Sequence, residues 1–92
     1  MDNYTTLSAA EFENLVSSFS TEFHQIDVRQ LEMPLPMITI MRELEKLKQS
    51  NALLVTHHKV PQILLNDLSD KTLKIYLNQP ETNLVKLFFV KV

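Results

Sequence analysis

An arginine followed by a proline-rich corner is the clearest pattern for chemistry in this chain. Arg29 precedes Pro34-Leu35-Pro36, and the residues after these prolines have helical spacing. The first N–H groups of a helix have no partner within it and lie at the positive end of its dipole, which favours anions. A guanidinium group can bind the same anion through two hydrogen bonds. The pattern predicts a site for sulfate, phosphate or a carboxylate at Arg29 and the amides of Met37 and Ile38.

The same residues also have a purely structural interpretation. A proline disfavours helical backbone in the residue before it, so Pro34 ends the preceding segment. Pro36 fits the first turn of the next helix, where a missing N–H has no consequence. Arg29 can form an ion pair with Asp27 or Glu32 instead of binding a ligand. The sequence leaves both interpretations open.

Three histidines are candidates for metal or anion binding. His57 and His58 end one predicted strand, and His24 begins another. Neighbouring residues on a strand point to opposite faces, and no HxH or HxxxH spacing supplies the three or four ligands of a metal site, so we predict none. Because the ends of parallel strands share an edge, we expect His57 or His58 to approach Arg29 and help it bind an anion. The alternative is that both are polar residues at an exposed strand end.

No group of residues indicates an enzyme. The chain has no cysteine, which excludes disulfides, thiolate metal sites and a cysteine nucleophile. It has no glycine, which excludes the loops that cradle phosphates and dinucleotides. Asp27 is the one acid flanked by apolar residues in a predicted strand, and acid–base catalysis needs a partner for it. We expect no catalytic residue and no cofactor.

Composition limits the class of protein further. The 92 residues suffice for one domain, and nine Lys/Arg against eleven Asp/Glu give a net charge of −2. This balance offers no electrostatic attraction for nucleic acid or an anionic membrane. There is no apolar run of the roughly 18–20 residues that a membrane helix needs, and residues 1–4 lack an export signal. We therefore expect a cytoplasmic protein that binds neither nucleic acid nor membrane.

Apolar spacing predicts three helices and four strands. The predicted helices cover residues 9–19, 36–47 and 61–68, and the predicted strands cover residues 23–29, 52–56, 73–77 and 84–92. Residues 1–7 are expected to form a loose arm, Asn51 to be the left-handed residue of a turn, and residues 69–71 to end the third helix. Residues 78–83 are expected to form the turn of a closing hairpin.

This order of elements predicts the fold class. Strand–helix–strand units favour parallel pairing with right-handed crossovers, and the closing hairpin adds an antiparallel strand. We predict an α/β (α+β) two-layer sandwich, with a mixed four-stranded sheet and two helices on one face. Residues 1–22 form an N-terminal arm and added helix, and residues 23–92 form the rest of this single domain.

The last predicted strand is apolar on both faces. Leu84, Phe88 and Val90 alternate with Val85, Leu87 and Phe89. One face can meet the two helices, so the other needs a second cover. We expect the stripe of Phe12, Leu15, Val16 and Phe19 to cover it, either within its own subunit or, slightly favoured, across a homodimer.

One segment carries a resemblance to a known family. Residues Ile26-Asp27-Val28-Arg29 are followed by Met33-Pro34-Leu35-Pro36-Met37. This pattern resembles the TusA/SirA-like sulfur-carrier superfamily over about residues 24–92, and most of all its uncharacterised TusA-related branch. The resemblance implies the same βαβαββ fold. In sulfur carriers proper, a Cys-Pro-x-Pro motif holds a persulfide, and Met33 stands at that cysteine's position.

The substitution at this position decides which function the resemblance implies. A thioether can form neither a thiolate nor a persulfide. We therefore expect a non-catalytic binding or adaptor module whose partner is another protein or a second copy of the chain. One alternative is an accessory protein of sulfur or redox metabolism that binds an anion at Arg29 and the helix start. Another is a structural dimerisation domain.

Overall fold

The computed structural model describes residues 4–68 and 72–92. The strands are β1 (Thr5–Thr6), β2 (Phe23–Asp27), β3 (Ala52–His57), β4 (Leu73–Glu81) and β5 (Leu84–Lys91), and the helices are α1 (Ala9–Ser17), α2 (Leu35–Glu45) and α3 (Gln62–Asp67). The sheet order is β1-β4-β5-β3-β2. β2 pairs with β3 in parallel, and β5 is antiparallel to both β3 and β4. The predicted α/β two-layer sandwich is confirmed, with five strands instead of four.

The fifth strand lies in the segment that was predicted to be a loose arm. Thr5 and Thr6 pair in parallel with Tyr76 and Leu77. The Leu7 N–H then donates to the Leu77 carbonyl oxygen at 2.8 Å. A two-residue strand has no periodicity of its own, so its formation depends on the open edge of β4, which the sequence of the arm does not show.

The closing hairpin is longer than predicted. β4 continues to Glu81 instead of ending at residue 77, and its turn is confined to the residues before Leu84. The pairing shifts between Asn78 and Glu81. Pro80 lies in this irregular stretch, where a residue without an N–H breaks no regular ladder. The polar residues 78–83 indicated a turn by their type. Residue type alone does not show that β5 is long enough to pair with some of them.

The connection from α2 to β3 also differs from the prediction in detail. The helix ends at Glu45, and Leu47 is buried just beyond it. The left-handed residue is Ser50, with φ 73°, and not Asn51. The Ser50 N–H donates to the Lys91 carbonyl oxygen at 2.7 Å, so pairing with the end of β5 determines which residue turns. The predicted end of α3 at residues 69–71 lies outside the described residues.

The main core lies between the sheet and the helices α2 and α3. Ile40 and Leu44 of α2 and Leu64 and Leu65 of α3 are buried in it. The sheet residues of this core alternate along their strands: Leu53, Val55, Leu87 and Phe89. His57 continues the alternation of β3, which places it on the same face at the end of the strand. Its position relative to α2 and α3 is therefore set by the sheet.

Helix α1 covers the opposite face of the sheet within its own subunit. The predicted capping box is present, since the Glu11 N–H donates to the Ser8 hydroxyl at 3.2 Å and the Ser8 N–H donates to the Glu11 carboxylate at 2.9 Å. Phe12 is 3 % exposed and packs edge-to-face on Phe88, with ring centroids 6.4 Å apart. Of the two apolar faces of β5 that the sequence left open, the one with Phe88 and Val90 is covered. The first of the two expected arrangements is thus the one seen, and the homodimer stays a prediction.

Candidate functional site

A cleft of about 210 Å³ opens where α2 and α3 begin. Met33 and Met37 line it from the α2 side, and His57 lines it from the end of β3. The remaining wall comes from the β3–α3 connection and the start of α3, namely Lys59, Val60, Pro61, Gln62, Ile63 and Leu64. β2 and β3 are parallel neighbours, so both helices that follow them start at the same edge of the sheet. Crevices outside the carboxyl ends of parallel strands are the usual ligand sites of such sheets.

Prolines shape both helix starts at this cleft. Pro36 occupies the first turn of α2, and Pro61 is the N-cap of α3. Each restricts the backbone where the chain leaves the sheet, as the sequence predicted for the α2 corner. Neither helix start has a side-chain cap. The cleft is therefore bounded by conformationally restricted turns, and apolar side chains project beside them.

Most of the exposed large apolar side chains lie at or next to the starts of α2 and α3. The exposed large hydrophobic residues of the described chain are Met33 (52 %), Leu35 (48 %), Ile38 (43 %), Ile63 (67 %) and Val92 (45 %). Met33 and Ile63 line the cleft. Met37 extends the surface, because it also borders a shallow groove with Ile38. We call Met33, Leu35, Ile38 and Ile63 the apolar rim.

His57 is a buried, neutral hydrogen-bond donor at the base of the cleft. Its side chain is 1 % exposed, and its Nδ1 accepts the Lys59 N–H at 3.2 Å. Because Nδ1 acts as the acceptor, the proton of the neutral ring lies on Nε2. Burial of the ring is the largest of the causes that lower the pKa of His57 to about 4, and the nearby His58 and Lys59 act in the same direction. The ring therefore stays neutral near pH 7.

His58 lies beside His57 rather than on the opposite side of the sheet. The two ring centroids are 4.9 Å apart at an interplanar angle of 34°. The prediction that they diverge was wrong because β3 ends at His57, so the alternation of a strand does not reach His58. Among the described residues, Nδ1 of His58 is the enclosed side-chain polar atom that has no hydrogen-bond partner. The His57 ring lines the cleft, and among the described residues its hydrogen bond is the one that Nδ1 accepts from Lys59.

Arg29 is engaged by Asp27. Its Nη2 donates to Asp27 Oδ2 at 2.7 Å, and its Nε donates to Oδ1 at 3.0 Å. The Arg29 backbone N–H also donates to Oδ1, at 3.0 Å. These hydrogen bonds lower the pKa of the Asp27 carboxyl group and raise the pKa of Arg29. The structural interpretation of this arginine is the one seen, in a pair whose side chains are 47 % and 50 % exposed.

The structure brings together only part of the predicted anion site. Met37 and His57 line the cleft, whereas Arg29, Ile38 and His58 are not among its lining residues. The Ile38 N–H donates to the Pro34 carbonyl oxygen at 3.2 Å, so that amide is already used in the helix. An anion held by Arg29 stays a prediction, and Asp27 would compete with that anion for the guanidinium group.

Metal ligands do not converge in the part of the chain described here. Residues 4–68 and 72–92 contain no group of three or more His, Cys, Asp or Glu side chains that could hold an ion. His24 lies in a separate groove with Glu22 and Asn51. The thioethers of Met33 and Met37 are soft ligands, but the tautomer of His57 directs a proton, and not a lone pair, from Nε2. None of the described helices is long and apolar enough to cross a membrane.

Sequence reasoning identified one side of the cleft and missed the other. Met37 and His57 were predicted to belong to an anion site with Arg29, and Met33 was matched only to the position of the carrier cysteine. Lys59, Val60 and Ile63 were assigned to no site. A signal was present, because Pro61 follows a strand and starts a helix as Pro36 does. Applying the same argument to both corners would have placed two helix starts at one edge of the sheet.

Comparisons with known proteins agree with the extent of the fold around the cleft. A family model described as an uncharacterized conserved protein (DUF2249) matches residues 25–91. This range includes all residues that line the cleft and excludes α1. No curated protein and no solved structure matches the chain. Because the family model spans most of the 92 residues, the chain belongs to the DUF2249 family of uncharacterised conserved proteins.

Proposed function

We propose that this chain is a non-catalytic, TusA-like binding or adaptor module that takes its ligand or partner in the cleft between α2 and α3. The observation on which this proposal rests is a cleft lined by Met33 and Ile63, two exposed residues of the apolar rim, together with the buried ring of His57. Contiguous exposed apolar surface is uncommon on soluble proteins and is typical of binding sites. Of the exposed large hydrophobic residues described, only Val92 lies outside the rim.

The resemblance to sulfur carriers supports the location of the site. Met33, at the position of the carrier cysteine, is 52 % exposed and lines the cleft. The corner that presents a reactive sulfur in sulfur carriers would thus present an unreactive thioether here. Methionine adapts its shape to different apolar surfaces, which suits binding better than transfer.

Energetics favour occupation of the cleft by an apolar group. Burying one large aliphatic or methionine side chain contributes about 1.5–3 kcal/mol. Met33 lines the cleft from the residues just before α2, and Ile63 lines it from α3, and both helices are packed on the core. Such a preformed site loses little conformational entropy on binding. The volume of about 210 Å³ suits a small molecule or one side chain of a partner.

Binding of a neutral apolar dye tests the site. We expect N-phenyl-1-naphthylamine to bind with increased fluorescence, and Ile63→Glu to weaken that binding about tenfold, since a charge would have to be desolvated in the cleft. Val92→Glu is the matched control because Val92 is 45 % exposed outside the rim. Equal binding by wild type and both variants, or no binding by any, would contradict the proposal.

Sulfur loading tests the absence of persulfide chemistry. After incubation with a cysteine desulfurase and cysteine, we expect the intact mass of the protein to be unchanged, because a thioether offers no thiolate to attack the donor persulfide. Met33→Cys is the comparison, since it restores a thiol at the exposed corner. A stable gain of one sulfur by the wild-type chain would show that the module retains carrier activity.

A further inference from the structure

We propose that the cleft binds a small carboxylate with an apolar chain, whose carboxylate group lies between Lys59 and Nε2–H of His57. This inference rests on the proposed function and specifies the ligand class for the same site. The apolar chain would lie against Met33, Met37 and Ile63. Three features of the cleft support this inference: the charge of its lining residues, the hydrogen-bond donor of His57 and the volume of the cleft.

The charge of the lining favours an anion. Lys59 is the one Lys or Arg among the lining residues, and no Asp or Glu lines the cleft. This contrasts with the chain as a whole, in which eleven Asp/Glu exceed nine Lys/Arg. A cationic ligand would meet Lys59 and no counter-charge, so the cleft selects against it.

The donor at the base requires an acceptor from the ligand. Among the described residues, the His57 ring has one hydrogen-bond partner, the Lys59 N–H, which donates to Nδ1. Its Nε2–H therefore remains available at a ring that is 1 % exposed. When an apolar group fills the cleft and excludes water, a donor without an acceptor is destabilising. A carboxylate oxygen satisfies this donor and pairs with Lys59 at the same time.

The volume limits the size of the ligand. A cavity of about 210 Å³ is smaller than the roughly 300–1,000 Å³ of sites for drug-sized molecules. The cleft is small for a nucleotide or another large polyanion, and most of its lining residues are apolar. A chain of a few methylene groups with one carboxylate matches both the volume and the single cationic side chain.

Parallel titrations with hexanoate and 1-hexanol, followed by ¹H–¹⁵N NMR at pH 7, test the inference. The two probes share the apolar chain and differ in the charged group. We expect hexanoate to bind about tenfold more tightly than 1-hexanol, the ratio that one charge-assisted hydrogen bond supplies. Hexanoate should also move the Nε2 resonance of His57, which reports the base of the cleft directly. Lys59→Gln should remove this preference, because it should weaken the binding of hexanoate and not that of 1-hexanol. Lys74→Gln changes the net charge equally at an exposed site on β4 and should leave the preference unchanged.

The possible outcomes separate this inference from the proposed function. Equal binding of both probes at the cleft would overturn the carboxylate assignment and leave the cleft as a binding site. The assignment would also be overturned if Lys59→Gln left the affinity for hexanoate unchanged and hexanoate did not move the His57 resonance, because the anion would then lie elsewhere. If neither probe shifts the cleft resonances while the dye binds, the ligand class is wrong. If the dye also fails to bind, the proposed function fails with it.

Discussion

Phe12→Ala is expected to lower the free energy of unfolding by about 3–5 kcal/mol, as is usual when a buried aromatic ring is truncated to alanine. The ring is 3 % exposed and fills the space between α1 and the sheet. A domain of this length has a total stability of roughly 5–14 kcal/mol. One substitution would therefore remove a large part of it. We expect a melting temperature at least about 12 °C lower, measured by circular dichroism and confirmed by urea unfolding.

The size of this effect follows from the position of Phe12 in an aromatic cluster. Phe88 lies at its centre and contacts Phe12, Phe19 and Phe23 edge-to-face, with ring centroids 5.2–6.4 Å apart. α1 has only nine residues, too few to be stable as a helix without packing. Loss of the Phe12 ring would thus weaken both the cluster and the helix that carries it.

Two comparisons control this experiment. Val92→Ala removes an exposed apolar side chain and should change the melting temperature by no more than a few degrees. The melting temperature of Phe12→Ala should not depend on protein concentration, because the helix packs within its own subunit. A steep concentration dependence would instead support the homodimer. An unchanged stability would mean that α1 contributes nothing to the fold.

Local patterns were sufficient to predict the elements whose signals lie within their own residues. The capping box at Ser8 and the stripe around Phe12 predicted α1, and the alternation in β5 predicted that one of its two apolar faces needs a cover besides α2 and α3. β1 and the extension of β4 could not be predicted this way. Both exist because a neighbouring strand offers unpaired N–H and C=O groups, and that neighbour is set by the whole fold.

The site was harder to predict than the fold for the same reason. Met33 and His57 are 24 positions apart in the chain and meet only because β2 and β3 are parallel neighbours. Arg29 was expected to share a site with His57 because both follow strands at one edge. Instead, Arg29 pairs with the carboxylate of Asp27, which is only two residues away in the chain. The local ion pair, and not the arrangement of the strand ends, therefore determines the partner of Arg29.

The buried histidine makes the stability of the fold depend on pH. His57 has a pKa of about 4 in the folded protein, below its ordinary value of 6.5, because the charged ring is poorly solvated there. Between these two values the unfolded chain binds more protons than the folded one, so stability rises with pH in this window. The contribution is complete above about pH 6.5 and is lost as the pH falls toward 4. We expect the free energy of unfolding to drop by about 2 kcal/mol between pH 8 and pH 5. The complete loss, reached at still lower pH, would be about 3 kcal/mol.

Urea unfolding at several pH values between 5 and 8 measures this loss. Asp27 and Glu11 have lowered pKa values, so their carboxylates stay ionised in this range and do not contribute to the slope. His57→Gln keeps an acceptor for the Lys59 N–H without a titrating group, and its stability should be nearly independent of pH over the same range. His24→Gln removes an exposed histidine and should retain the wild-type slope, and His58→Gln shows what the neighbouring ring adds. If His57→Gln and wild type lost stability in parallel, the protonation of another group would be responsible, and His57 would not be the neutral donor that the cleft requires.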